Sequence, residues 1–338
     1  MIAVKSEYRG VWTLAETDAG RVARVSYELL TRGRALAEKR STELTAAVLG
    51  AAVAEEDLKE LIQRGADNVL LVEAPQFEHF LVEPHAACLA GLIQKHRPEI
   101  VIAAATTTGR TLMPYVAVKV RAGLTADCTG LDIDPETGGL LQIRPAIGGN
   151  IMATIKTPQA RPQMATVRPR STRPPERDPS RTGKIVREKP PAELAGRVRR
   201  VDFIPQTDPH ALAEADIVVS AGRGIRKAEN LPLVTELAEA LDAALGASRD
   251  VVDRGWLEYP HQVGLSGKTV SPRLYVAVGI SGAIQHLAGM QTAENIVAIN
   301  SDGDAQIFNV ADIGIVGDLF EVLPLLTKRI REEKDKQA

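Results

Sequence analysis

Residues 273–304 read RLYVAVGISGAIQHLAGMQTAENIVAINSDGD. The run 274–280 is apolar and rich in β-branched residues, the pattern of a strand buried on both faces of a parallel sheet. Gly279 and Gly282 bracket Ile280 and Ser281, so the backbone there can approach a ligand closely. A helix is predicted from about Ala283, with its free N–H groups turned back on the glycine turn, a natural seat for an anion such as a nucleotide pyrophosphate. A second strand over 296–299 runs out into Asn300, Ser301 and Asp302. In an open α/β sheet those residues border the same crevice as the turn. The unit is therefore strand–turn–helix–strand. Such turns also occur in plain βαβ elements, and the spacing alone leaves both readings open.

Outward from this unit the same alternation continues. A strand over 217–220 leads into Ala221-Gly-Arg-Gly, followed by an amphipathic helix over 230–244. Residues 245–255 read as a short strand or turn and then a helix. Beyond the central unit come a strand over 311–316 and a closing helix over 319–332, for which Asp318 is a natural N-cap. The Gly222-Arg223-Gly224 turn is an incomplete dinucleotide fingerprint, because its third glycine would fall at Lys227. No serine–histidine–carboxylate or cysteine–histidine set has supporting context. The polar and cationic residues at the predicted strand ends and turns are Arg223, Ser248, Arg249, Ser266, Ser281, His286, Asn300 and Asp318. A flavin dinucleotide calls for that kind of set: an arginine and a helix start for its pyrophosphate, and cations beside the ring, where reduction builds negative charge.

The first half also alternates, with strands over 10–15, 44–49, 68–72 and 100–105 and helices over 25–39, 55–64 and 84–96, a parallel sheet covered by helices. The strand at 100–105 feeds Thr106, Thr107, Thr108, Gly109 and Arg110. Those hydroxyls either contact a ligand at the sheet edge or cap the following helix. From Cys128 the pattern becomes four short strands (129–133, 140–143, 150–155, 163–167) with turn signals at 135–139 and 148–150, an antiparallel extension. Arg144 lies between strand and turn. The segment RPRSTRPPERDPSRTGKIVREKPP, residues 168–191, carries six prolines and almost no apolar residues, so it reads as a linker. A strand resumes over 198–204. The expected organisation is an N-terminal α/β domain, 1–168, a linker with a connecting strand, 169–207, and a second domain, 208–338.

The 338 residues are 44% apolar and 25% charged with a formal net charge of −2, so two ordinary globular domains are expected and no electrostatic case exists for nucleic acid or an anionic membrane. Aromatic residues, at 4%, supply no base-stacking platform. Cys88 and Cys128 match neither a metal spacing nor a disulfide framework, and no metal site is expected. No apolar run is long enough to span a membrane and no secretory leader precedes the first strand. A cytoplasmic location is expected.

The ordered series GASRDVVDRGW (246–256), QVGLSGKTVSPRLYVAVGISG (262–282), SGAIQHLAGM (281–290), IVAIN (296–300) and IFNVADIGIVGDLFEVLP (307–324) closely resembles the alpha subunit of electron-transfer flavoproteins, densely in the C-terminal third and more loosely elsewhere. The resemblance implies an N-terminal domain like the adenine-nucleotide hydrolases, packed on a beta subunit, and a C-terminal Rossmann-like domain that binds FAD. It assigns the dinucleotide to Arg223 and Ser248 and places Arg249 over the isoalloxazine. Val263, Gly264, Leu265 and Ser266 would line the ring, with Ser266 at N5, and Gln262 beside them would also bind the cofactor. Ser281, Gly282, Ala283, Ile284, Gln285 and His286 would hold the pyrophosphate and ribityl, with His286 near the C2 carbonyl. Asn300, Asp318 and Leu319 would reach the adenosine half. Leu265 and Ser266 stand where mitochondrial members carry glutamine and threonine; the serine keeps the hydroxyl and the leucine loses a polar contact. The implied function is electron carriage through FAD, in a heterodimer with a beta subunit, between partners such as acyl-CoA dehydrogenase-type flavoproteins, NADH, quinone oxidoreductase or ferredoxin. Oxidoreductase activity would belong to the complex. LTADCTG (124–130), RPAIGGNIMATI (144–155) and RPQMATVRP (161–169) resemble the electron-bifurcating branch, in which Thr107, Gly109, Arg110 and Arg144 would approach a second flavin held by the beta subunit. Because the first domain resembles an adenine-nucleotide-binding α/β fold, a non-redox adenine-nucleotide-binding assembly subunit is the alternative.

Overall fold

A computed structural model describes residues 7–146, 151–191, 194, 196–202, 212 and 215–337. The chain divides into two compact units, Met1–Phe203 and Ile204–Ala338.

The first unit opens with β1 (Val11–Ala15), the hairpin β2 (Thr17–Asp18) and β3 (Arg21–Val22), and α1 (Arg24–Lys39). There follow β4 (Leu44–Gly50), α2 (Glu55–Gln63), β5 (Asn68–Glu73), α3 (Val82–His96), β6 (Ile100–Ala104) and α4 (Thr107–Val120). Next come β7 (Gly123–Cys128), β8 (Gly130–Ile133), β9 (Leu140–Ala146), β10 (Ile151–Lys156), β11 (Gln163–Val167) and β12 (Lys184–Glu188). Seven strands form one parallel sheet in the order β12-β5-β4-β1-β6-β11-β7. Along β1, Val11 and Ala15 join a core with Leu29, Leu36 and Leu58 of α1 and α2, while Trp12 and Leu14 join another with Leu89, Leu92 and Leu112 of α3 and α4. Burial on both faces explains why the central strands read as continuous apolar runs.

Three expectations change here. The segment over 163–167 is not part of the antiparallel extension: β11 inserts between β6 and β7 of the parallel sheet, and the extension is β10-β9-β8 alone. The proline-rich stretch is not a free tether, because Lys184–Glu188 pairs in parallel with Asn68–Val72 as an edge strand. Backbone hydrogen bonds on an exposed edge need few apolar side chains, and charges hold this one: Arg181 on Asp67, Arg187 on Glu55, and Glu188 between Lys95 and His96. Residues 198–202 form no strand. The turn at 148–150 and the junction at 203–208 lie outside the described residues.

The second unit comprises β13 (Ile217–Ala221), α5 (Leu231–Leu241), β14 (Ala244–Ala247), α6 (Arg249–Asp253), β15 (Leu274–Val278), α7 (Ile284–Leu287), β16 (Ile296–Asn300), β17 (Ile313–Val316) and α8 (Leu319–Gln337). Its five strands are all parallel, in the order β14-β13-β15-β16-β17. One face is packed by α5 and α8 through Val234, Leu237 and Leu323. The other is covered by irregular chain carrying Val263, Val270, Met290 and Ile307. The helix expected from Ala283 is one turn long. Gly289 follows it, and a Cβ there would lie 2.4 Å from the Gly264 amide, so the chain is pressed against a neighbouring loop where a longer helix would project. Among the described residues no helix is long and apolar enough to cross a membrane.

Candidate functional site

The strand order of the second unit reverses direction between β13 and β15. In an open α/β sheet the crevice outside the carboxyl ends of those two strands is the ligand position, as in flavodoxin-like folds of the same order. A glycine follows each strand, Gly222 after β13 and Gly279 after β15. Gly222 N–H donates to Val278 O (2.7 Å) and Gly224 N–H to Gly279 O (3.0 Å). A Cβ on Gly222 would lie 2.2 Å from Gly279 O, and one on Gly224 would lie 2.7 Å from Gly279 Cα. The two strand-end loops therefore touch backbone to backbone, and Gly279 itself has φ +61°, a conformation that favours glycine.

Above this contact lies a cleft of about 660 Å³. It brings together Arg223, Ser248, Arg249, Gln262, Val263, Gly264, Leu265, Ser266, Ser281, Ala283, Gln285, His286 and Asn300 from stretches far apart in the chain. Four other residues singled out in the sequence do not line it. Gly282 is buried against the Ile307 backbone. Ile284 turns a side chain 73% exposed to solvent. Asp318 caps α8 by accepting from Phe320 N–H (3.0 Å), and Leu319 is in the core. Asn300 lines the cleft, but its amide is committed: it donates to Ile280 O (2.9 Å) and accepts from Asp302 N–H (3.0 Å), clamping the β15 turn to the end of β16.

The polar groups are individually set. Arg249 opens α6 and is held by Asp253 one turn on (3.1 Å), with 72% of its side chain exposed; Arg223 lies 3.6 Å from Asp250. Asp250 and Asp253 escaped sequence reasoning, although the i, i+4 spacing of Arg249 and Asp253 on a helix was the available signal. Gln262 is buried and donates to Ser266 Oγ (3.0 Å), so the Ser266 hydroxyl proton remains free for the cleft. His286 is buried and its Nε2 lies 2.9 Å from the Tyr275 hydroxyl. Burial lowers its pKa from 6.5 to about 4, with the Val263 backbone pulling weakly the other way. Tyr275, inside the core, is pushed well above the usual phenol range by burial. Leu265 and Ile284, 74% and 73% exposed, with Tyr259 make an apolar rim.

Two buried polar atoms of cleft-lining residues make no hydrogen bond to another side chain: Ser248 Oγ and His286 Nδ1. Leaving a buried polar atom unpaired costs about 1–3 kcal/mol, and each instance calls for an explanation. Beside them Arg223, Arg249 and the Ser266 hydroxyl offer donors to a ligand bearing carbonyls, hydroxyls and phosphates. The cleft thus fits a flavin dinucleotide, and its position and lining define a nucleotide-cofactor-binding α/β protein.

Comparison with known proteins sharpens that class. Residues 11–193 match the electron transfer flavoprotein domain, and residues 211–291 match the electron transfer flavoprotein FAD-binding domain. The electron transfer flavoprotein subunit alpha of Thermoanaerobacterium thermosaccharolyticum is 45% identical over 331 residues, 97% of this chain and 100% of the relative. The lactate dehydrogenase (NAD(+),ferredoxin) subunit LctC of Acetobacterium woodii is 40% identical, covering 99% of this chain and 80% of the relative. The acryloyl-CoA reductase electron transfer subunit beta of Anaerotignum propionicum is 38% identical, covering 98% of each. The chain belongs to the electron-transfer flavoprotein alpha-subunit family. Its cofactor is FAD and its function electron transfer; alpha subunits of this family pair with a beta subunit.

Proposed function

We propose that the FAD of this subunit lies in the cleft at the β13–β15 switch point, that a beta subunit closes the cleft, and that the heterodimer bifurcates electrons. The observation that carries the cofactor site is the convergence of Arg223, Arg249, Ser248, Ser266 and His286 on one cleft built where α/β sheets take their ligands. FAD, when bound, supplies one- and two-electron chemistry. The chain's own residues do the rest. Arg223 and the glycine turn take the dinucleotide. Arg249, steadied by Asp253, sets a positive charge beside the ring and favours its reduced, anionic forms. Ser266, its oxygen already accepting from Gln262, offers its proton to a ring nitrogen. The apolar rim of Leu265, Ile284 and Tyr259 is wide open in the single chain, which suits closure by a second subunit.

Bifurcation needs a second flavin, and the carboxyl edge of the first unit's sheet supports that reading. There Asp127 is held in a left-handed conformation (φ +60°), a strain that concentrates at functional positions. Burial pushes its pKa up, but Arg168 (2.6 Å), Arg110 (3.4 Å) and Arg144 outweigh burial and hold it below the usual range. Three guanidiniums against one carboxylate leave positive charge for an anionic group on the partner. Thr106 caps α4 by accepting from Gly109 N–H (3.0 Å) while donating to the half-buried Glu16 (2.6 Å), so it is Thr107, Arg110 and Arg144 that remain for the partner's flavin. Relatives named for NAD(+),ferredoxin-linked and acyl-CoA-linked redox complexes fit the same assignment. The free, buried Cys88 and Cys128 suit the cytoplasm. The test is the nucleotide content of the purified heterodimer with its response to NADH. Two FAD, reduced by NADH, are expected; one FAD with one AMP would refute bifurcation.

A further inference from the structure

Ser266 sits at the tip of a loop that no apolar packing holds. Leu265 and Ser266 are both exposed, between Gly264 and Gly267, so hydrogen bonds alone set their position. Leu265 N–H donates to Gln285 O (2.7 Å) and Gly267 N–H to Gly264 O (3.0 Å), which closes the turn. Two further bonds grip Ser266 itself. Gln262 Nε2 donates to its hydroxyl (3.0 Å), and the Tyr259 hydroxyl donates to its main-chain carbonyl (2.7 Å). One bond holds the side chain and the other the backbone. Together they fix the direction in which the remaining hydroxyl proton points.

Both ties come from one firmly based stretch. Tyr259 opens a single helical turn, Tyr259–His261, in which the ring of Pro260 fixes φ. His261 N–H donates to Glu258 O (3.0 Å) and Gln262 N–H to Tyr259 O (2.9 Å). The His261 ring, through Nδ1, lies 2.8 Å from Leu245 O of β14, which ties the turn to the sheet, and Gln262 is buried in the cleft wall. Tyr259 does not line the cleft. It is 63% exposed, so its ring is largely in solvent while its hydroxyl is committed inward.

We propose that Tyr259 is a positioning residue for Ser266: by holding the serine's main chain it aims the serine hydroxyl at the cofactor. This rests on the cleft being the FAD site with Ser266 beside the ring. The role needs the phenol hydroxyl and not the aromatic ring. With phenylalanine the loop keeps one of its two ties, samples other orientations, and presents the serine proton to the cofactor for a smaller fraction of the time. Water competes for a hydrogen bond at an open rim, and a partner subunit that covers the rim removes that competition, so the effect belongs to the heterodimer.

The test compares Tyr259→Phe, Ser266→Ala and the double variant as purified heterodimers, by FAD titration and by the midpoint potential of the bound flavin. Phenylalanine at an exposed site disturbs no packing, so the variants should fold as the wild type does. Tyr259→Phe should raise the FAD dissociation constant about fivefold, the loss of one hydrogen bond. It should also move the potential in the same direction as Ser266→Ala, by less. Added to Ser266→Ala, it should leave the potential where the serine variant put it, because no hydroxyl remains to be aimed. A Tyr259→Phe complex with wild-type affinity and potential would overturn the role, as would a potential shift of equal size with and without the serine hydroxyl. If Ser266→Ala itself changes neither readout, Ser266 is not beside the flavin, and it is the reading of the cofactor site that falls, taking the proposal with it.

Discussion

Gly222→Ala probes the backbone contact on which the cleft stands. The added Cβ would lie 2.2 Å from Gly279 O and 2.5 Å from its carbonyl carbon. Real contacts of this type do not fall below about 3 Å, so the two loops must part by roughly 1 Å. The obstructing atoms are backbone, and no side chain can swing aside. Overpacking of this kind costs about 1–3 kcal/mol. Separation also stretches the bonds from Gly222 N–H to Val278 O and from Gly224 N–H to Gly279 O, each worth about 1 kcal/mol. The total is about 3 kcal/mol, or about 10 °C in the melting temperature of a unit this size. FAD affinity should fall with it, because Arg223 and Ile280 ride on the displaced loops. Gly303→Ala is the control: its nearest neighbours are Val316 methyls at 3.7 and 3.9 Å, an ordinary contact, so it should be neutral. The assay is thermal unfolding of the heterodimer followed by release of flavin fluorescence. A Gly222→Ala complex that melts with the wild type and retains FAD equally would refute the reasoning.

Other consequences can be checked separately. Arg249→Ala should lower the flavin potential by the equivalent of about 1 kcal/mol, a small value because the side chain is largely exposed and screened; an unchanged redox titration would make Arg249 a surface residue. The pKa of His286 falls on folding from 6.5 to about 4, so the unfolded chain binds more protons between those values. Stability should drop as pH falls through that window, by about 2 kcal/mol at pH 5, and His286→Asn should abolish that part of the acid sensitivity in urea melts; an equally acid-sensitive variant would contradict the burial argument. Limited proteolysis should spare the β12 strand, Lys184–Glu188, despite its lysine and arginine; rapid cutting at Arg187 would mean that it is a loose tether. The isolated chain should bind FAD more weakly than the heterodimer, since a partner that seals the rim adds its binding free energy to the cofactor's; equal affinities in a titration would argue against closure.

The parts of this molecule that could be read from sequence are those with a period and a turn. Burial on both faces makes Leu274–Val278 and Ile100–Ala104 unmistakable strands, and the glycines after β13 and β15 mark the crevice in the sequence itself. What escaped was set by partners distant in the chain. β12 is an edge strand held by ion pairs with α2 and α3, and nothing local in KIVRE distinguishes it from a charged linker. β11 has the composition of any short strand; only the space beside β6 decides that it enters the parallel sheet. The one-turn length of α7 follows from Gly289 meeting Gly264, two loops that no pattern connects. Tyr275 reads as one more apolar residue of a buried strand, and its contact with His286 exists only once β15 lies under the turn that follows it.

The central claim is that the second unit's cleft is where FAD resides, and the most direct test is to fill it. Ala283 lines the cleft with its side chain exposed, so a tryptophan there would occupy flavin space without entering the core. The flavin released on denaturation should be counted per heterodimer for the wild type and for Ala283→Trp, alongside their far-UV spectra. The account predicts that the variant keeps its fold and loses one FAD; a folded variant with the full wild-type flavin count would contradict it.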